Sequence, residues 1–250
     1  MRWRFGTASD IGGRGEQQDR VEIIASADGD DYLLVVADGM GGYQGGARAA
    51  QAVIDTARRF FEMGNVTDPL TSLERLCAES HQAVLAIGDQ EGRPPGSTCV
   101  FLYVSKDEAS WAHVGDSRLY HFRKGTLLTR TLDHSMVQVL VARGEMAEAD
   151  MANSPLQNQL YMRLGGKQSP RPELGAAEVQ EGDLFVLCSD GFWESIGPKE
   201  VEGLPSKTDL SAAADRLVHL AKERGGKSGD NIAVAMAQLD KVRRKFRLFS

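Results

Sequence analysis

The chain has 250 residues, 42% of them hydrophobic and 26% charged, with a net charge of −6 and a pI near 5.5. That size and balance suit one large globular domain, and no Pro/Ser-rich linker divides it. The acidic balance argues against a general nucleic-acid or anionic-membrane binder, no apolar run approaches the ~20 residues of a membrane helix, and Met-Arg-Trp-Arg-Phe-Gly lacks the apolar region of a signal peptide; a cytoplasmic protein with no membrane span is expected.

Trp3 to Ser9 and Val21 to Ala27 read as strands around a polar, Gly-rich loop from Asp10 to Asp19. Arg14 in that loop has a planar fork that matches phosphate oxygens bidentately, though a lone loop arginine also reads as a solvated charge. Leu33 to Ala37 is a short apolar run that stops at Asp38-Gly39, the pattern of a strand buried on both faces that delivers an acid to an edge. Taken alone, Asp38-Gly39 also reads as a hairpin turn; a helix former's sequence follows, with no second strand to complete a hairpin. Apolar spacing predicts helices over Gln44 to Phe61 and Asp68 to Ile87. Pro94-Pro95-Gly96 ends that region. Thr98 to Val104, Ala109 to Val114, Arg118 to Arg123 and Thr126 to Thr129 then read as an antiparallel meander. Consecutive hairpins rule out regular βαβ alternation, so the expected class is α+β with stacked sheets.

Short helical pieces between Gly and Pro breaks are expected from Leu132 to Met162. A second apolar run, Leu184 to Cys188, ends in Ser189-Asp190-Gly191. Lys207 to Glu223 reads as the last helix, after which Asp230-Asn231 precedes a strand beginning at Ile232. Residues 241–250 form a basic, partly aromatic tail, read as a solvated end. Gly226-Lys227-Ser228 is no Walker loop, because the glycine required five positions earlier is Ala221, and Gln44 breaks any dinucleotide fingerprint after Gly39.

Three acids therefore sit at strand ends. They converge only if their strands are neighbours, and a converged cluster needs cations to stay ionised. All-oxygen ligation points to magnesium or manganese; zinc would require His and Cys at close spacing, which the sequence lacks. Cys77, Cys99 and Cys188 are odd in number and set among apolar neighbours, as reduced core thiols are. A cysteine-dependent phosphatase needs Arg six positions after its nucleophile, and those positions hold Ala83, Ser105 and Glu194. Asp116 falls in a turn, where Asp is favoured for local hydrogen bonds alone. His134 lies beside a helix start and is read as capping or packing; His81, His113, His121 and His219 are assigned no chemistry.

Asp38-Gly-Met-Gly-Gly, Gly96-Ser-Thr, Val114-Gly-Asp-Ser-Arg118, Asp133-His-Ser, Ser189-Asp-Gly and Gly229-Asp-Asn-Ile232, in that order, resemble the motif series of the metal-dependent protein phosphatases of the 2C type in their bacterial, single-domain form. The resemblance implies an α-β-β-α sandwich over residues 1–240, with a small flap at about 133–166 overhanging the site. It implies two tightly bound Mn2+ or Mg2+ ions bridged by Asp38, with Asp190 and Asp230 on the first ion and the Gly39 carbonyl on the second, and a third, weaker ion at Asp116. Arg14 corresponds to the phosphate-binding arginine, and Gln18, Asp19 and Asn231 support the ligands from behind. Many members have Glu at position 18 and some have His at position 40; this chain has Gln18 and Met40, and a thioether cannot donate a proton. The implied activity is hydrolysis of phosphoserine and phosphothreonine in proteins by a metal-activated water, by a monomer opposing a serine/threonine kinase; some such members serve protein secretion systems. The rival is a weakly active phosphoprotein-binding module on the same fold, whose signature would be lost metal acids. A metal-dependent nuclease would need a basic groove.

Overall fold

The structure, a computed structural model, describes residues 2–41, 45–64, 66–88, 94–204 and 209–240. The tail at 241–250 and the starts of two expected helices, Gln44 and residues 207–208, lie outside the described residues. In chain order the elements are β1 (Arg2–Asp10), β2 (Arg20–Ala25), β3 (Tyr32–Ala37), β4 (Gly39–Met40), α1 (Gly45–Glu62), α2 (Pro69–Leu85), β5 (Gly96–Ser97), β6 (Cys99–Val104), β7 (Glu108–Val114), β8 (Arg118–Arg123) and β9 (Thr126–Arg130). They continue with α3 (Met136–Ala142), a 3-10 turn (Glu148–Asn153), β10 (Glu173–Glu178), β11 (Asp183–Cys188), α4 (Asp190–Trp193), α5 (Pro198–Glu202), α6 (Leu210–Gly225) and β12 (Ile232–Asp240).

Two antiparallel sheets carry the fold, one ordered β1-β12-β11-β8-β9 and the other β10-β7-β6-β3-β2. Their inner faces meet through Leu34, Val36, Val100, Leu102, Phe185, Leu187 and the alanines of β12. α1 and α2 cover the outer face of the second sheet through Val53, Ile54, Phe60, Leu73 and Leu76. α6, α4 and α5 cover the first through Leu210, Leu217, Phe192 and Val201. Both faces of the central strands are thus covered, which is why they read as unbroken apolar runs. In β3, Leu34 and Val36 point between the sheets while Leu33, Val35 and Ala37 point at the helices, the period-two alternation of a strand. Each such fully buried Leu, Val or Phe contributes about 1.5–3 kcal/mol.

Two expectations change. The four strands after Thr98 do not form one meander: β6 and β7 pair in one sheet and β8 and β9 in the other, so the chain changes sheets at Gly115-Asp116-Ser117. Nor do the three acid-bearing strands lie side by side. β11 and β12 are neighbours, but β3 belongs to the other sheet and packs across the sandwich. The acids meet because two sheet ends share one edge of the layered core.

β10 escaped the sequence analysis. As an edge strand of Glu, Ala and Gly, it pairs only with β7 and exposes most of its residues, so it carries no apolar signature. The helix expected over 68–87 is set by its start: Asp68 accepts from Thr71 N–H at 3.1 Å, and Pro69 follows, an N-cap with proline in the first turn.

Gly115, with φ +107, makes the change of sheets possible; a Cβ there would lie 2.6 Å from Thr98 Cγ2. Gly115→Ala should cost roughly 2–4 kcal/mol from the left-handed backbone and the overpacking together. Urea denaturation checks this, and a variant within 0.5 kcal/mol of wild type, roughly the spread of surface changes, would show the crossing to be unstrained.

Candidate active site

Asp38 leaves β3 where the inter-sheet core ends, and the Gly96-Ser97-Thr98 segment clamps its backbone. Asp38 N–H donates to Thr98 Oγ1 at 3.0 Å, while its carbonyl accepts from Thr98 N–H at 2.9 Å and Ser97 Oγ at 3.0 Å. Thr98 Oγ1 also shares a 2.7 Å hydrogen bond with Ser117 Oγ, so one threonine ties the end of β3 to the turn that carries Asp116. The hairpin reading of Asp38-Gly39 does not hold, because Gly39 and Met40 continue as β4 against β5. Gly39 is needed for close approach: a Cβ there would lie 2.0 Å from the Gly46 carbonyl, and one at Gly191 2.2 Å from the Asn231 carbonyl.

Asp190 opens α4, and Asp230 stands just before β12. Asn231 knits this corner to the 10–19 loop, accepting from Gln18 N–H at 2.8 Å and donating to the Ile11 and Glu16 carbonyls at 2.9 Å each. Asp116 is fixed by Trp193 Nε1, which donates to its carbonyl at 2.9 Å. The Arg118 guanidinium stacks 3.5 Å over the Trp193 ring and grips Asp133 through two hydrogen bonds of 2.7 and 2.6 Å.

Arg14, Gln18, Asp38, Gly39, Asp116, Asp190, Asp230 and Asn231 all line one cleft of about 630 Å3, together with Glu16, Met40, Asn158 and Leu160. Asp19, only 3% exposed, lies behind them, where Ser189 Oγ donates to its carboxyl at 2.6 Å. Every candidate site residue from the sequence is therefore at this place. Glu16 was missed: it sits two residues before the neutral Gln18, accepts from Gln18 Nε2 at 3.0 Å, and adds a carboxyl to the wall. Arg14 was expected to face phosphate alone, yet its Nη2 donates to Asp230 Oδ2 at 2.5 Å.

The acids perturb one another strongly. Burial, then the charges of Asp19, Asp190, Asp116 and Asp230, hold the Asp38 carboxyl well above the usual carboxylate range. Burial pushes Asp19 up to about 8, with Asp190 and Asp230 adding to the effect. Asp116 is raised by burial and then by Asp190 and Asp133, and Asp190 rises to about 6 through burial and Asp230. Glu194, at the end of α4, is pushed up to about 8 by burial and then by Asp190 and Asp230.

His134 behaves as packing. Ser135 caps α3, accepting from Gln138 N–H at 3.3 Å, while the His134 ring stacks on His113 with centroids 4.6 Å apart and planes 15° from parallel. His113, His134 and Glu173 bring potential ligand atoms within 4.8 Å of one another, a grouping that sequence spacing hid. Near-parallel rings do not converge their in-plane lone pairs on one ion, and His134 Nδ1 already accepts from Gly115 N–H at 3.1 Å. The acid cluster fits a cation far better. Its charged ligands are all oxygen, suiting a hard divalent ion, and the buried Asp190 Oδ1 has no hydrogen-bond partner among the described residues.

The sequence model of the family described as "Protein phosphatase 2C" matches residues 9–241. This chain belongs to the protein phosphatase 2C family. It is 30% identical to the serine/threonine phosphatase Stp of Listeria welshimeri, over 82% of this chain and 84% of that protein. Among solved structures, the catalytic domain of PstP, a phosphatase of Mycobacterium tuberculosis, in complex with two manganese ions superposes with a TM-score of 0.81 at 29% identity, over 96% of this chain and 99% of that one. PppA of Pseudomonas aeruginosa, titled a key regulatory component of T6SS, gives a TM-score of 0.75 at 30% identity, over 95% and 98% of the two chains. Within this 2C fold, the expected α-β-β-α layering and stacked antiparallel sheets hold.

The raised acids of the 2C cleft fix a pH dependence. A carboxyl with a folded pKa above its unfolded value near 3.8 stabilises the fold fully below that value and loses this contribution as pH rises through the folded one, about 6 for Asp190 and about 8 for Asp19. Burial lowers His113 and His134 to about 4 from 6.5, which opposes the acids, but only below pH 6.5. Above it the histidine contribution fades and the raised acids dominate. The EDTA-treated protein should lose roughly 5 °C of Tm between pH 6.5 and 8, and Mn2+ should abolish the loss. Calorimetry checks this; a Tm that rises across that window would contradict it.

Proposed function

We propose that the chain is a serine/threonine protein phosphatase that removes phosphate from phosphoserine and phosphothreonine, with Mn2+ or Mg2+ held by Asp38, Gly39, Asp190 and Asp230 and a third, weaker ion at Asp116. The observation that carries this reading is the convergence of four aspartates and Arg14 on one open cleft, with a buried oxygen on Asp190 that has no hydrogen-bond partner among the described residues. The relatives' names and the manganese complex of PstP support it. A nonenzymatic module on this fold would have no use for the full set of acids. In this reading the chain acts as a cytoplasmic monomer opposing a serine/threonine kinase, and the likeness to PppA, titled a key regulatory component of T6SS, supports a place in the control of T6SS. Among the described residues no helix is long and apolar enough to cross a membrane.

When bound, the divalent ions neutralise phosphoryl oxygens and lower the pKa of the water that attacks in line. The protein's residues do the rest. Asp38 is central: it lines the cleft beside Asp116, Asp190 and Asp230, and in this reading its carboxylate would be shared between the two ions. The Thr98 and Ser97 clamp holds it there, and Asn231 holds Gln18 and Glu16 opposite. Arg14, 53% exposed on the cleft wall, is free to swing from Asp230 to a phosphate and offer its planar fork. Met40 in the lining cannot protonate the leaving seryl oxygen.

Hydrolysis of p-nitrophenyl phosphate and of a phosphothreonine peptide should vanish in EDTA and return with Mn2+. Asp38→Asn should be the most damaging single change; retention of more than about a tenth of the wild-type rate, roughly 1.4 kcal/mol of barrier, would remove Asp38 as the bridge.

Arg14→Ala should raise KM several-fold with kcat little changed, as expected for a contact equal in ground and transition states. It should not weaken Mn2+ activation, because it frees Asp230. Unchanged kinetics on the phosphopeptide would return Arg14 to a solvated charge.

A further inference from the structure

The segment that follows α3 forms one lip of the cleft through Asn158 and Leu160 and is itself little buried. Between residues 138 and 160 few side chains are buried, Met151 among them at 2% exposure, so local opening of this segment costs little. At its root it is pinned by backbone bonds, Met136 N–H to the Gln159 carbonyl at 2.8 Å and Tyr161 N–H to the His134 carbonyl at 3.0 Å. At its outer end Arg130 meets Glu148 at 2.7 Å, with the Glu148 side chain 62% exposed.

Its inner side is held differently. Gln157 Nε2 donates to Glu194 Oε1 at 2.7 Å. Glu194 is the residue one helical turn beyond Asp190, and its N–H donates to the Asp190 carbonyl at 2.9 Å; side chains four apart share a helix face. Gln157 sits in a run of tight turns, with its own N–H on the Ser154 carbonyl at 3.1 Å and Gln159 N–H on the Leu156 carbonyl at 3.0 Å. The residues immediately after it, Asn158 and Leu160, line the cleft. One side-chain hydrogen bond thus couples the helix that carries Asp190 to this lip of the cleft.

We propose that Glu194 is a positioning residue that latches this lip over the acid cluster through Gln157, and so sets the enzyme's grip on the polypeptide flanking the phosphorylated residue. The proposal rests on the phosphatase reading for its substrate. A small aryl phosphate reaches the acids without spanning the lip, whereas a phosphopeptide must pass under Asn158 and Leu160. Loosening the latch therefore separates the two substrates. The bond needs an acceptor at position 194 and a donor at position 157, so a neutral amide at 194 still serves.

The test uses the full chain with saturating Mn2+, as wild type, Gln157→Ala, Glu194→Ala and Glu194→Gln. KM and kcat are measured on a phosphothreonine peptide and on p-nitrophenyl phosphate, and hydrogen exchange is followed by mass spectrometry across residues 147–160. In Gln157→Ala and Glu194→Ala we expect the peptide KM to rise about fivefold or more and the segment's amides to exchange roughly tenfold faster, as loss of a hydrogen bond allows. KM for p-nitrophenyl phosphate should stay within about twofold of wild type in Gln157→Ala. Glu194→Gln should stay near wild type in peptide KM and exchange. Wild-type exchange in Gln157→Ala, equal losses on both substrates, or Glu194→Gln matching Glu194→Ala would overturn the latch. A wild type inactive on both substrates would overturn the phosphatase reading instead, and the exchange measurement would still decide the latch.

Discussion

The structure turns on a repulsion. Asp19, Asp38, Asp116, Asp190 and Asp230 are driven together at one edge of a sandwich whose interior is apolar, and burial, reinforced by the charges of the cluster's own members, raises Asp38 and Asp116 and pushes Asp19 to about 8. Carboxylates this close cannot all ionise in a poorly solvated site. In the proposed reading the cluster holds protons when cations are absent and gives them up to divalent ions when they are present. The clamp at Thr98, the close approaches at Gly39 and Gly191, and the Asn231 network are what hold the acids in place against that repulsion.

The layered core explains why the repulsion is sustainable. Strands such as β3 and β12 are buried on both faces, so the acids at their ends ride on the most rigid part of the molecule. An apolar run ending in Asp-Gly was enough to see this for Asp38 and Asp190, because burial on both faces erases alternation and leaves a continuous run. The same logic failed for β10, an edge strand of small and acidic residues. It also failed at Gly115-Asp116-Ser117, where short strands in succession look alike whether the chain turns back in one sheet or crosses to the other.

The candidate site was legible as a residue list and less so as a geometry. Ordered motifs named Asp38, Asp190, Asp230, Asp116 and Arg14, and all of them reach one cleft. What linear spacing could not show was pairing across long separations: Thr98 joined to both Asp38 and Ser117, Trp193 on the Asp116 carbonyl, and Arg14 on Asp230. Glu16 was passed over because a single acid in a polar loop carries no pattern. Asp19 was expected to support the ligands from behind, and its buried carboxyl takes a hydrogen bond from Ser189 Oγ, next to Asp190.

The central claim is that the acid cluster exchanges protons for divalent cations. Calorimetric titration of the EDTA-treated protein with Mn2+ at pH 7, repeated in buffers of different ionisation enthalpy, measures the protons released as the ion binds. Because Asp19 is pushed up to about 8 and Asp38 is raised by burial and then by its neighbours, Mn2+ should bind with release of about one proton or more per chain. Tight binding with no proton release, or no binding at all, would contradict the account.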